Sequence, residues 1–130
     1  LMGGAAGSFI GMDMLDVPLT IESSRENGFA LGSGVVMVLN NTVDFDDFTA
    51  RIAKFFRDES CGQCVPCRVG TVRQGESLLR IRNGGDVAAE QALIDDFAQV
   101  MADASICGLG HTASGAILSA FELGLIGGGS

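Results

Sequence analysis

Cys61, Cys64 and Cys67 stand three apart, and Cys107 follows after a gap of 39 residues. Three chemistries use such a set. Disulfides fit poorly, because cysteines three apart in a tight loop seldom meet disulfide geometry, and nothing in the chain signals secretion. A structural zinc site normally draws on two separated C-x2-C pairs, whereas here a triplet faces a lone fourth cysteine. An iron–sulfur cubane suits the spacing better: one loop wraps three corners of a [4Fe–4S] cluster and a distant residue supplies the last. Gly62 allows close backbone approach to inorganic sulfur, and Pro66 stiffens the loop before Cys67. The spacing favours the cubane over zinc, and both over disulfides.

Other residues near the cysteines have plainer readings. Arg68, next to Cys67, is the best single cation to offset an anionic cluster, and as a plain surface residue it would open a helix. His111, the only histidine, reads as a polar cap rather than a ligand, since four thiols already suffice. Glu59 reads as a solvated carboxylate at a helix end. No nucleophile–base pair and no dinucleotide fingerprint occurs, and Gly32-Ser33-Gly34 leads into an apolar strand-like run rather than a helix. No catalytic residue is expected.

The elements that must hold these cysteines come from periodicity. From Asp44, Phe45, Phe48, Ile52, Phe55 and Phe56 recur at helical spacing, with Asp44, Asp46 and Asp47 in the first turn. A second helix is expected from near Val69 to Arg82, burying Val72 and Leu79 and stopping at Asn83-Gly84-Gly85. A third runs from Asp86 to about Asp103 with Val87, Ile94, Phe97, Met101 and Ala104 inward. A fourth covers about Thr112 to Leu125 with Ala113, Ile117, Phe121 and Leu125 inward, before a Gly127-Gly128-Gly129-Ser130 tail that reads as a natural fray or a linker. Together they predict a small four-helix bundle, with Phe55 and Phe56 among the residues covering the cluster. Before them, glycine turns divide residues 1–41 into short pieces. Val17-Pro18-Leu19-Thr20-Ile21 and Val35-Val36-Met37-Val38-Leu39 read as strands, the second as a buried one.

Composition narrows the function classes. The 130 residues carry a formal charge of −8 and are 47% hydrophobic. That excludes global disorder and argues against sequence-independent nucleic-acid binding. No run reaches the apolar length of a membrane helix. The charge is uneven: residues 1–50 hold one Arg against seven acids, and residues 83–130 hold six acids and no Lys or Arg. Seven of the eight basic residues lie in 51–82, beside the cysteine triplet. The first residue is Leu1 rather than Met, as expected for a piece of something longer.

Two stretches carry a resemblance. Glu59-Ser60-Cys61-Gly62-Gln63-Cys64-Val65-Pro66-Cys67-Arg68-Val69-Gly70-Thr71 and Ser105-Ile106-Cys107-Gly108-Leu109-Gly110 resemble the C-terminal region of the NADH-binding flavoprotein subunits of respiratory complex I. The same region occurs in diaphorase subunits of NAD-linked hydrogenases and in beta subunits of NAD-dependent formate dehydrogenases, and the Val65–Gln74 run is most similar to the last. Gly3-Gly4-Ala5-Ala6-Gly7-Ser8-Phe9 and Leu31–Val38 are similar to the β-grasp-like domain that precedes the cluster domain in that family.

The resemblance implies a mainly α fold: a four-helix cluster domain over 42–130, preceded by a partial β-grasp-like (α+β) segment over 1–41. It implies Cys61, Cys64, Cys67 and Cys107 as ligands of one [4Fe–4S] cluster that takes single electrons from a reduced flavin. FMN and NAD(H) sites belong to a region this sequence lacks. The implied partners are that flavin- and NAD-binding region and further iron–sulfur subunits, with no nucleic acid and no inserted membrane segment. The expected location is cytoplasmic. The rival from another class is a zinc-stabilised interaction module without redox activity.

Overall fold

The structure is a computed structural model, and it describes residues 1–128. The Gly129-Ser130 end of the expected tail lies outside the described residues.

The long helices begin where their caps predict. Asp44 caps α2 (Phe45–Glu59) by accepting from the Asp47 N–H at 3.0 Å, and Asp86 caps α4 (Val87–Ala104) by accepting from Ala88 and Ala89. A short α1 (Ile21–Glu26) precedes them, capped by Thr20. Between α2 and α4 runs α3 (Val65–Arg82), which starts one turn earlier than expected because Pro66 sits in its first turn, where a missing N–H costs nothing. The expected fourth helix is two: α5 (Gly108–Thr112) and α6 (Gly115–Glu122), separated at Ala113-Ser114.

Helix α3 packs against both α2 and α4, while α6 packs on α2 and more lightly on α4. Ile94, Met101 and Ile117 form the fully buried centre, with Ile52, Phe56, Leu78 and Ile81 around them. This corrects the expected face of α3: Val72 and Leu79 point outward, Leu79 at 57% exposure. The buried stripe is Gly70, Thr71, Gln74, Ser77, Leu78 and Ile81. Small and polar residues face two helices at once, so backbones approach closely and each polar group needs a partner. Thr71 donates to the Cys67 carbonyl. Gln74 donates to Ala113 O at 3.2 Å and accepts from the Ser114 hydroxyl at 2.8 Å. Ala104 and Phe55, expected inward, are exposed, whereas Phe56 is core.

Residues 1–41 differ from expectation more strongly. No strand occurs among the described residues. Val17–Ile21 leads into α1, and Val35–Leu39 is extended but largely exposed, with Val38 at 92%. Only isolated bridges link Met2 to Ser8 and to Val36. Leu1–Gly3 nevertheless lies beside residues 33–37, with Gly3 N–H donating to Val35 O at 2.8 Å and Met37 N–H to Leu1 O at 2.9 Å. An extended run satisfies its backbone only through a neighbour, and here it has one short neighbour on one edge. Phe9 leaves this segment for the helical core, meeting Phe45 and Phe48 edge-on at 5.8 and 6.0 Å.

Candidate metal centre

The cysteine triplet occupies the turn from α2 into α3. Ser60 ends α2, Cys61 follows in the loop, Cys64 is the N-cap of α3, and Cys67 lies in its first turn. Gly62 has φ +74°, a left-handed conformation that lets the loop reverse between Cys61 and Cys64. Cys107 is the N-cap of α5, at the end of the turn leaving α4. Cys67 is buried, Cys64 half-buried, and Cys61 and Cys107 exposed; all four are free thiols.

The turn from α4 brings the fourth cysteine's neighbourhood to the triplet. The backbone N–H of Ile106 is the largest influence on the Cys64 thiol and lowers its pKa. Desolvation opposes that pull, and the Cys67 N–H and Ser105 hydroxyl add to it. Ser105 Oγ polarises the sulfur but forms no hydrogen bond of normal geometry. Gly110 closes the approach: a Cβ there would sit 2.2 Å from Ser105 Oγ and 3.1 Å from Cys67 Cβ. The opening of α3 also points its unpaired N–H groups and positive dipole end at this loop, which favours anionic sulfur.

The cations of the basic block are largely paired. Arg51, Lys54, Arg57, Arg73, Arg80 and Arg82 all pair with carboxylates, among them Arg80 with Glu90 at 2.6 Å across α3 and α4. Arg68 alone of the seven has no carboxylate partner among the described residues. Its Nη1 donates to the Gly62 carbonyl at 2.7 Å, so it braces the cysteine loop with its charge uncompensated. His111 braces the second turn: its Nε2–H donates to the Ser105 carbonyl at 2.7 Å and clamps the turn that carries Cys107. Glu59 is exposed, as expected.

Sequence reasoning does not single out Ser60 and Ser105. Ser60 Oγ lies 3.3 Å from Cys67 Sγ. The available signal is their place inside the two cysteine motifs, each beside a ligand candidate.

Four thiols with no carboxylate or imidazole among them are a set whose chemistry fits an iron–sulfur cluster. Among the described residues, no three His, Cys, Asp or Glu side chains gather into a group that could hold one metal ion, so the four thiols do not meet at one point. Thiols on a glycine-opened loop, a buried hydroxyl without a partner and a Cβ-free wall at Gly110 suit that sulfur-rich body.

Residues 47–123 match the family model described as the NADH-ubiquinone oxidoreductase-F iron-sulfur binding region. Over 92% of its length the chain is 36% identical to the NADP-reducing hydrogenase subunit HndC of Solidesulfovibrio fructosivorans, covering 24% of that protein. It is 32% identical to an NADH-quinone oxidoreductase subunit of Rickettsia typhi, over 86% of this chain and 27% of the relative. The crystal structure of an NAD⁺-reducing [NiFe]-hydrogenase in the H2-reduced state superposes with TM-score 0.81 and 27% identity, over 94% of this chain and 21% of the other. The chain thus spans about a quarter of the length of the curated relatives it matches.

Proposed function

The chain belongs to the family of the NADH-ubiquinone oxidoreductase-F iron-sulfur binding region, and we propose that it is an electron-relay unit of an NAD(H)-dependent oxidoreductase. In this reading Cys61, Cys64, Cys67 and Cys107 hold one [4Fe–4S] cluster. The observation that carries it is the close packing of the second cysteine turn on the first, where Gly110 leaves no room for a Cβ between Ser105 and Cys67.

When bound, such a cluster supplies reversible one-electron transfer. The chain's own residues bind and orient. The four thiols serve as thiolates, Arg68 keeps the loop in register through Gly62, and His111 holds the Cys107 turn through the Ser105 carbonyl. No side chain performs acid–base or nucleophilic work.

The wider assignment rests on the relatives. FMN and NAD(H) belong to the parent protein or complex, and electrons pass between that flavin and further iron–sulfur subunits. Hydrogenase and quinone-reductase relatives support this, and within the family the Val65–Gln74 run is most similar to the formate dehydrogenase branch. Residues 1–41 are read as part of a β-grasp-like unit, supported by the pairing of Leu1–Gly3 with residues 33–37. Residues 42–130 are read as a four-helix cluster domain. Four free thiols support a place in the reducing cytoplasm, at the edge of a complex. Among the described residues, no helix is long and apolar enough to cross a membrane.

Anaerobic iron and sulfide analysis tests the reading. About four of each per chain, with a brown colour bleached by dithionite, is the expected result. Stoichiometric zinc without sulfide overturns it in favour of the interaction module.

A further inference from the structure

Two hydroxyls from separate segments converge on the cysteine site with their protons free. Ser60 is fixed at the end of α2, its N–H donating to Phe56 O at 3.0 Å. Its Oγ accepts from the Gly62 N–H at 3.3 Å and lies 3.3 Å from Cys67 Sγ. Gly62 thus occupies a lone pair and leaves the hydroxyl proton to the sulfur, which as a thiolate can only accept. Cys67 is 6% exposed, so water competes little for that bond.

Ser105 arrives from the far end of α4. Its N–H donates to Met101 O at 3.1 Å and its carbonyl accepts from His111, yet its buried hydroxyl has no partner. Leaving a buried hydroxyl unpaired is unfavourable, so a retained one calls for an acceptor. The acceptors near it are sulfurs: it faces Cys64, and Gly110 separates it from Cys67 without a Cβ.

We infer that Ser60 and Ser105 are positioning residues whose hydroxyls donate to sulfurs of the metal centre and hold its reduction potential up. The inference rests on the cluster reading above. Reduction adds one electron from a reduced flavin of the parent enzyme. No bond breaks, the hydroxyl protons stay on oxygen, and the four-thiolate assembly gains one negative charge. A donor aimed at sulfur favours the more negative state. Neither residue contacts a reacting substrate; each acts through the centre it faces.

The test is a redox titration, followed by electron paramagnetic resonance, on the full chain loaded anaerobically with iron and sulfide. Ser60→Ala and Ser105→Ala are each expected to keep their iron and sulfide and to move the midpoint to more negative potential. A tenfold change in the redox equilibrium would read as about 59 mV for a one-electron couple. Ser60→Thr, which keeps a hydroxyl, is expected to return the midpoint towards wild type. Equal midpoints in fully loaded alanine variants overturn the inference. Where an alanine variant fails to load, the wild-type chain decides: a brief transfer to D2O exchanges hydroxyls ahead of protected amides and should shift the Fe–S stretching bands. An unshifted spectrum overturns the inference. A wild-type chain that takes up no iron and sulfide is a separate result, and refutes the cluster reading itself.

Discussion

Residues 1–41 and the helices after them share one chain and obey opposite rules of closure. A helix satisfies its backbone internally, so α2, α3 and α4 need each other only for side-chain burial. They achieve it around Ile94, Met101 and Ile117. An extended run must find a neighbour for its backbone as well as its side chains. Val35–Val38 finds only Leu1–Gly3 and leaves its apolar side chains largely exposed, as are Met12, Leu15 and Leu19. Phe9 commits the first region to the second most deeply, its N–H donating to Ser119 Oγ at 2.8 Å inside the core, with Leu1, Ala5, Ala6 and Leu39 packed more loosely against the same core. Stability should therefore concentrate in the helical region, and within it at the cysteine turn where α2, α3, α4 and α5 meet.

The sharpest way to break that contrast is Cys107→Ser. In the proposed cluster it removes the thiol that would cross-link the α4–α5 turn to the cysteine loop, so metal binding and folding should fall together. We expect most of the iron to be lost and the thermal midpoint of the loaded chain to drop by about 10 °C or more. Full iron content with an unchanged midpoint would remove Cys107 from the ligand set.

Gly110→Ala comes next. Its Cβ meets Ser105 Oγ and Cys67 Cβ in a packed corner, which predicts a loss of about 1–3 kcal/mol in denaturant unfolding. Iron should also be lost, because the wall between Ser105 and Cys67 must move. An unperturbed variant would mean that this corner is not tightly packed.

A smaller effect is expected at the Arg80–Glu90 pair that ties α3 to α4. The Arg80 guanidinium holds the Glu90 carboxyl below its ordinary range, against a smaller opposing effect of desolvation. A depressed carboxylate pKa contributes stability above the unfolded pKa and loses it as pH falls through the folded one. Wild type should therefore exceed Glu90→Gln by a small margin at neutral pH, and the margin should close on acidification. A margin that grows in acid would reverse the sign of the pair.

The smallest effect belongs to the first region. Val38→Ser alters a side chain that packs on almost nothing in this structure, so the stability of the chain should change by less than about 0.5 kcal/mol. A loss of several times that size would show that Val38 is buried in solution and that the two regions are less different than they look.

How much is legible in the sequence follows the same divide. The start of α2 at Asp44 and of α4 at Asp86 is legible, because an acidic cap followed by helical spacing is a local signal. The inward face of α3 is not. Gly70, Thr71, Gln74 and Ser77 follow helical spacing as faithfully as apolar residues do, but hydrophobic periodicity does not count them. It places Val72 and Leu79 inward for that reason. The Val35–Leu39 run reads as buried because its apolar residues do not alternate, yet burial depends on what packs against a strand. At the site, the four thiols and the glycines beside them are legible, whereas the roles of Ser60, Ser105 and His111 are not.

The sequence by itself determined the four thiols, their spacing, the mainly helical class and the resemblance that names the cofactor. Those properties are covalent or confined to a few turns of chain, so neighbours along the backbone decide them. Only the tertiary structure decided that Arg68 braces a carbonyl while six other cations are paired, and that His111 clamps a turn. It alone brought the hydroxyls at the ends of α2 and α4 to the same cysteine site. Residues 45 positions apart meet only through the summed packing of the helices between them, and no local pattern encodes that sum.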